Sequence, residues 1–157
     1  MLIRVIHFVR LPLFLIVLYS IARFSLGLIG VPYAPRGNAM FSVVGVMLIS
    51  SFYFGALSAS IGEFKWGGTI LIGIVICFAG ELLILLATLI SYLGNLDTYF
   101  IHWDALNVPA GTSVSFGKAI MSRVGGLIAG PILGTIVACL GRAFRGLAPR
   151  RELFFNS

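Results

Sequence analysis

Apolar residues fall along the chain in four long runs set apart by polar stretches. The runs cover residues 11–31, 39–62, 67–94 and 119–140. A helix needs about 20 mostly apolar residues to cross roughly 30 Å of hydrocarbon, and each run is long enough. The third, Gly67 to Gly94, is the most apolar, and it carries one acid, Glu81, near its middle. About fourteen Leu, Ile, Val and Phe residues lie between Ile70 and Ile90. Each favours insertion by about 0.3–0.6 kcal/mol, whereas a central charge opposes it by about 2.5–3.5 kcal/mol, so the run inserts despite its acid.

At 100° per residue, this third run divides into two faces. Gly73, Cys77, Gly80, Glu81, Ile84, Ala87, Thr88 and Ser91 share one of them. Leu71, Ile72, Val75, Leu82, Leu83, Leu86, Leu89, Ile90 and Leu93 form the other, which suits lipid. Small, weakly polar faces suit close helix packing in membranes, so Glu81 is expected to look into protein or a wet cavity.

The first run follows a basic start with Arg4, His7 and Arg10. Arg23 interrupts the run and no small-x-small site ends it, so it reads as an uncleaved span rather than a signal peptide. Pro12 sits in its first turn, where proline is tolerated. The second run carries a small-residue stripe of Ser51, Gly55, Ser58 and Gly62. The fourth carries a longer one, Ser122, Gly126, Gly130, Gly134 and Ala138, which lets another backbone come close. Pro131 is expected to kink that helix just beyond Gly130.

The polar stretches set the topology. The turns at 32–38 and 62–67 are short and force antiparallel returns. The stretch 95–118 is longer than a compact bundle requires, and its aromatic first half is expected to lie along the membrane surface. Four spans put both termini on one side, together with Arg4, Arg10, Lys65 and the tail 141–157 with Arg142, Arg145, Arg150 and Arg151. The other side holds Arg36, Lys118 and the loop aspartates. The positive-inside rule then makes both termini cytoplasmic and the 95–118 loop external. The expected fold is an all-α integral membrane bundle of four transmembrane helices in one domain, placed in the plasma (inner) membrane.

Composition agrees. The chain is 59% hydrophobic and 10% charged, against about 45–50% and 25% in soluble domains. Its net charge of +6 collects at the two ends and so marks topology. No basic face with interleaved aromatics occurs, which argues against nucleic acid. Cys77 and Cys139 fall inside different spans without metal-ligand neighbours and read as small apolar filler.

Few residues offer chemistry. Counted from the first apolar residue of each span, Arg23 lies about 18 Å deep and Glu81 about 21 Å, close enough in level to pair. Three readings of Glu81 stay open: a buried ion pair that fixes which helix faces meet, a proton- or ion-handling carboxylate, or a neutral acid bonded to Ser or Thr with Arg23 snorkelling outward. Arg123, about a turn into the fourth span, is expected to contact headgroups or to line a pore mouth. The arginines of the tail are expected to face lipid. Asp97, His102 and Asp104 read as ordinary loop charges, and a bis-histidine haem is excluded because His7 and His102 lie on opposite sides. No phosphate-cradling loop, nucleophile elbow or HExxH motif occurs, so neither an enzyme nor a cofactor is expected. Two functions follow. One is a non-enzymatic subunit or scaffold, associating laterally with a second copy or another membrane protein through its small-residue faces. The other is a small proton- or ion-coupled transporter or channel that uses Glu81 paired with Arg23.

Overall fold

A computed structural model describes residues 1–31 and 42–144. They form five helices: α1 (Leu2–Phe8), α2 (Arg10–Leu28), α3 (Val43–Ser60), α4 (Trp66–Leu93) and α5 (Phe116–Ala143). Two short 3-10 turns, Tyr99–Ile101 and Asp104–Leu106, lie in the connection before α5. Helices α2 to α5 are each long and apolar enough to cross a membrane. They alternate in direction, so one end of the bundle holds the α3–α4 turn and the other holds the 94–115 loop.

Two departures from the hydropathy bounds bear on the packing. Helix α5 runs three residues further at each end than its apolar run, because hydrogen bonding sets helix length while hydropathy reads only the part suited to hydrocarbon. The first span is preceded by a separate helix, α1. Val9 breaks the two apart, with φ −96° and ψ 17°. Pro12 supplies the cause: it has no N–H for the Phe8 carbonyl, and its ring crowds that carbonyl. The bonds on either side, Val9 N to Val5 O at 2.9 Å and Leu13 N to Val9 O at 3.1 Å, are intact. Pro131, by contrast, stands inside α5, and the helix continues through it.

Helix α4 is the common neighbour, packing against α1, α2, α3 and α5. Its buried residues include Gly73, Cys77, Gly80, Ile84, Ala87, Thr88 and Ser91, the small face read from the sequence. Ile72, assigned to the lipid face, is fully buried, because α4 has protein on more than one side.

The closest approach is backbone on backbone. A Cβ built on Gly73 of α4 would collide with the Gly134 carbonyl of α5. One on Gly55 of α3 would collide with the Ala138 carbonyl, and one on Gly141 with the Phe52 carbonyl. The α5 stripe from Gly126 to Ala138 is therefore used inside the chain, against α3 and α4. Ser122, at its start, is exposed. Larger side chains join α1 and α2 to the rest: Val5, Val9 and Ile16 are fully buried, and the Phe8 ring meets those of Phe54 and Phe64 edge-on at 5.4 Å each.

Overfilling this seam is expected to be costly. Gly55→Val should lose at least about 1–3 kcal/mol of stability by driving α3 from α5. Gly125→Ala, whose added methyl meets nothing within 4 Å, should be tolerated. Thermal unfolding of both variants in detergent micelles checks the contrast, and equal losses would refute the packing.

Candidate functional site

The site lies along the α4–α5 seam and is built from α4 outward. Glu81 is half-buried, with its side chain laid on the α5 backbone. A Cβ on Gly126 would come 2.6 Å from Glu81 Oε2, and one on Gly130 would come 2.7 Å from its Cγ. The two glycines thus form the seat of the carboxyl group, and any larger residue at either position would displace it. One turn before Glu81, Cys77 packs on Gly134. The Ser51 hydroxyl lies 3.6 Å from the Cys77 sulfur.

Arg123 is the cation whose charge bears on Glu81. It precedes Gly126 by three residues, on the same face of α5. Its guanidinium donates to three protein oxygens. Nε reaches Thr88 Oγ1 at 3.2 Å, Nη1 the Ala105 carbonyl at 3.2 Å, and Nη2 the Phe100 carbonyl at 2.8 Å. Thr88 in turn donates to the Ile84 carbonyl at 2.8 Å. These bonds tie the connection before α5 down onto the bundle. Tyr99, Phe100 and Leu106 are all buried, so these side chains of the stretch pack into the bundle. The reason is that a guanidinium inside a helical bundle needs acceptors, and helix carbonyls are already engaged. The loop backbone provides them.

Arg23 is placed otherwise than expected. A groove between α2 and α4 is lined by Ser20, Ile21, Phe24 and Ser25 facing Leu83, Leu86, Ala87 and Ile90. That register sets Arg23 level with residues five or six past Glu81, about 8 Å nearer the loop end. Its guanidinium lies over the Tyr99 ring, 4.7 Å from the centroid. Equal depth followed from counting both spans from their first apolar residue. Helix α1 undoes that count, because Arg4, not Leu11, reaches the α3–α4 turn, donating to the Gly62 carbonyl at 3.5 Å.

Arg142 also differs from a lipid-facing tail residue. Nη1 donates to the Phe64 carbonyl at 2.8 Å, to Thr69 Oγ1 at 2.7 Å and to Ser58 Oγ at 3.3 Å, and the guanidinium stacks over Trp66 at 4.8 Å. It fastens the end of α5 to the α3–α4 turn. Nothing in its sequence position signalled this. The acceptors come from a turn about 80 residues away, and the polar stripe of α3 named only one of them, Ser58. Arg145, Arg150 and Arg151 lie outside the described residues.

The polar groups therefore form a broken column along α4. Ser58, Thr69 and Arg142 occupy the turn end, Ser51 and Cys77 come next, then Glu81, then Thr88 with Arg123, and last Ser91, whose hydroxyl lies 2.6 Å from that of Thr98. The widest break, about 12 Å, separates Thr69 from Cys77. Ile72 and Ile76 fill it, both fully buried. A second break, about 10.5 Å, separates Glu81 from Thr88 on the loop side, where Ile84 and Ala87 are buried. Away from it, His102 stacks on Trp103 at 4.9 Å, and its Nδ1 accepts from Asp104 N at 3.3 Å. Among the described residues no three His, Cys, Asp or Glu side chains come together to hold a metal ion.

The two ends give a direct test of Arg142. Arg142→Gln should lower stability by about 1.5–3 kcal/mol, the range for hydrogen bonds to a charged group. Lys118→Gln, at an exposed position, should change it by less than about 0.5 kcal/mol. Denaturant unfolding of the two variants decides, and equal small losses would return Arg142 to the surface.

Comparison with models of known protein families, with curated proteins and with solved structures found nothing that matches this chain.

Proposed function

We propose that the chain is a four-span integral membrane protein with both termini cytoplasmic, and that it moves protons or ions by means of Glu81. The observation that carries this reading is the seat of Glu81. An acid stands midway along the most apolar helix, two glycines of α5 make room for it, and Arg123 supplies a countercharge. Ionisable groups inside a membrane are costly, and by default they mark ion pathways or relays. Glu81 lies against Gly130, the residue before Pro131 of α5.

In this reading Arg123, rather than Arg23, is the countercharge. The loop side, where Arg123 bonds to Thr88, is the route by which Glu81 exchanges with the outside. The turn side is closed by Ile72 and Ile76, so release there requires a second arrangement of α4 against α5. Four helices make a thin wall for a pathway, which favours an oligomer as the working unit. Lateral association through the α5 stripe draws no support from this geometry, because the residues from Gly126 to Ala138 already pack on α3 and α4.

The test is collapse of an imposed pH gradient across liposomes that contain the purified protein. Wild type should dissipate the gradient, and Glu81→Gln should abolish that flux while unfolding at a similar temperature. Equal flux in both proteins, or none in either while both are folded, would overturn the proposal and leave Glu81 a packing residue.

A further inference from the structure

We infer that the loop end of the bundle holds a binding site for a small oxyanion, phosphate being the type, between Arg23 and Arg123. This goes beyond proton handling by Glu81 and does not depend on it. Arg23 and Arg123 both line one cavity of about 160 Å³, together with Ser42, Ile84, Tyr99 and Phe100. Among the described residues, no carboxylate lines it.

Three features of the cavity favour an anion. First, two arginines from different helices, α2 and α5, converge on it. Arginine presents a planar fork of donors that matches oxyanion geometry. Second, both forks are held in place before any ligand arrives, Arg23 over Tyr99 at 4.7 Å and Arg123 by bonds to Thr88, Ala105 and Phe100. Third, α3 begins at the cavity wall. Its N-cap Ser42 accepts from Gly45 N at 3.1 Å, so the first-turn N–H groups before Gly45 add their partial positive charge there. Glu81 offsets part of the charge of Arg123 from below.

Size narrows the class. The volume corresponds to about five waters. Drug-sized ligands occupy about 300–1,000 Å³. A tetrahedral oxyanion fits, either free in solution or as the phosphate of a lipid headgroup. The cavity lies about 13 Å in from the loop end of α4, counted from Ile84 to Leu93, a depth that either source can reach.

Full-length protein purified in a neutral detergent would be titrated with inorganic phosphate against chloride at matched ionic strength, with thermal unfolding as the readout. In parallel, protein in nanodiscs of phosphatidylcholine with phosphatidylglycerol would be examined by native mass spectrometry for retained lipid. Arg23→Gln and Arg23→Lys accompany wild type, the second keeping the charge but not the fork. A free oxyanion predicts that phosphate raises the unfolding temperature of wild type and binds about tenfold or more weaker to Arg23→Gln. A headgroup predicts retention of phosphatidylglycerol by wild type, its loss from Arg23→Gln, and little response to phosphate. Either result supports the site. The inference is overturned if wild type responds to neither, or if whichever Arg23 variant folds responds as wild type does. An anion response that survives in Glu81→Gln shows that the site stands apart from proton handling.

Discussion

The bundle depends on how closely α5 can lie on α3 and α4. At Gly55, Gly73, Gly134 and Gly141 the backbones meet where no Cβ would fit. In lipid the hydrophobic effect gives helices little reason to associate, since acyl chains are as apolar as leucine. Association rests instead on van der Waals contact and on hydrogen bonds between helices. Glycine serves the first by letting main-chain atoms touch. The same approach shortens the distance over which side chains must reach, and so Arg142 can span from α5 to Ser58, Thr69 and Phe64 at once. Packing and polar bonding are therefore one feature of this seam. Helix α2 lacks it, meets α4 through Ile, Leu and Phe side chains, and leaves a groove there.

The seam also explains why an acid can be accommodated. Between Gly126 and Gly130 the glycine row leaves a hollow on α5 as deep as the missing methyl groups, and Glu81 lies in it. The stripe thus has two uses along its length. Toward the turn end it brings backbones together, at Gly134 and Ala138. Toward the loop end it holds a polar side chain off the lipid. A sequence pattern of small residues every fourth position looks the same in both stretches, and only the facing residue separates them: Gly73 in one case, Glu81 in the other.

Much of the fold was legible before any coordinates. The four runs became four helices because length and apolar content are what the bilayer constrains. The small face of α4 proved to be its buried face, since 3.6-residue periodicity carries that information. What could not be read was register between helices. The sequence shows where a run starts but not which residue is level with the neighbouring turn. The short helix α1, created by Pro12, shifted α2 enough to separate Arg23 from Glu81. The partners of Arg123 and Arg142 escaped for a related reason. Their acceptors are mostly main-chain carbonyls and hydroxyls, at Phe100, Ala105, Phe64 and Thr69, and carbonyls have no identity in a sequence. Charge pairing was sought among charged residues, whereas two of the guanidiniums found most of their bonds elsewhere.

That outcome bears on how positive charge is distributed in the chain. The arginines near the ends of the runs suggested topology markers facing headgroups. Arg4, Arg123 and Arg142 instead bond to turn or loop backbone, and Arg23 stacks on an aromatic ring of the loop. Each therefore helps to close one end of the bundle, and the apolar seam lies between two layers of guanidinium contacts. A guanidinium suits this position better than an ammonium, because its donors spread in a plane and can reach several carbonyls at once. At the turn end the layer is completed by the chain itself, with Arg142 bonded to two hydroxyls and a carbonyl. At the loop end two arginines share a cavity. The two ends are thus closed alike, since Arg123 at the loop end bonds to one hydroxyl and two carbonyls. What sets the loop end apart is the cavity beside its arginines.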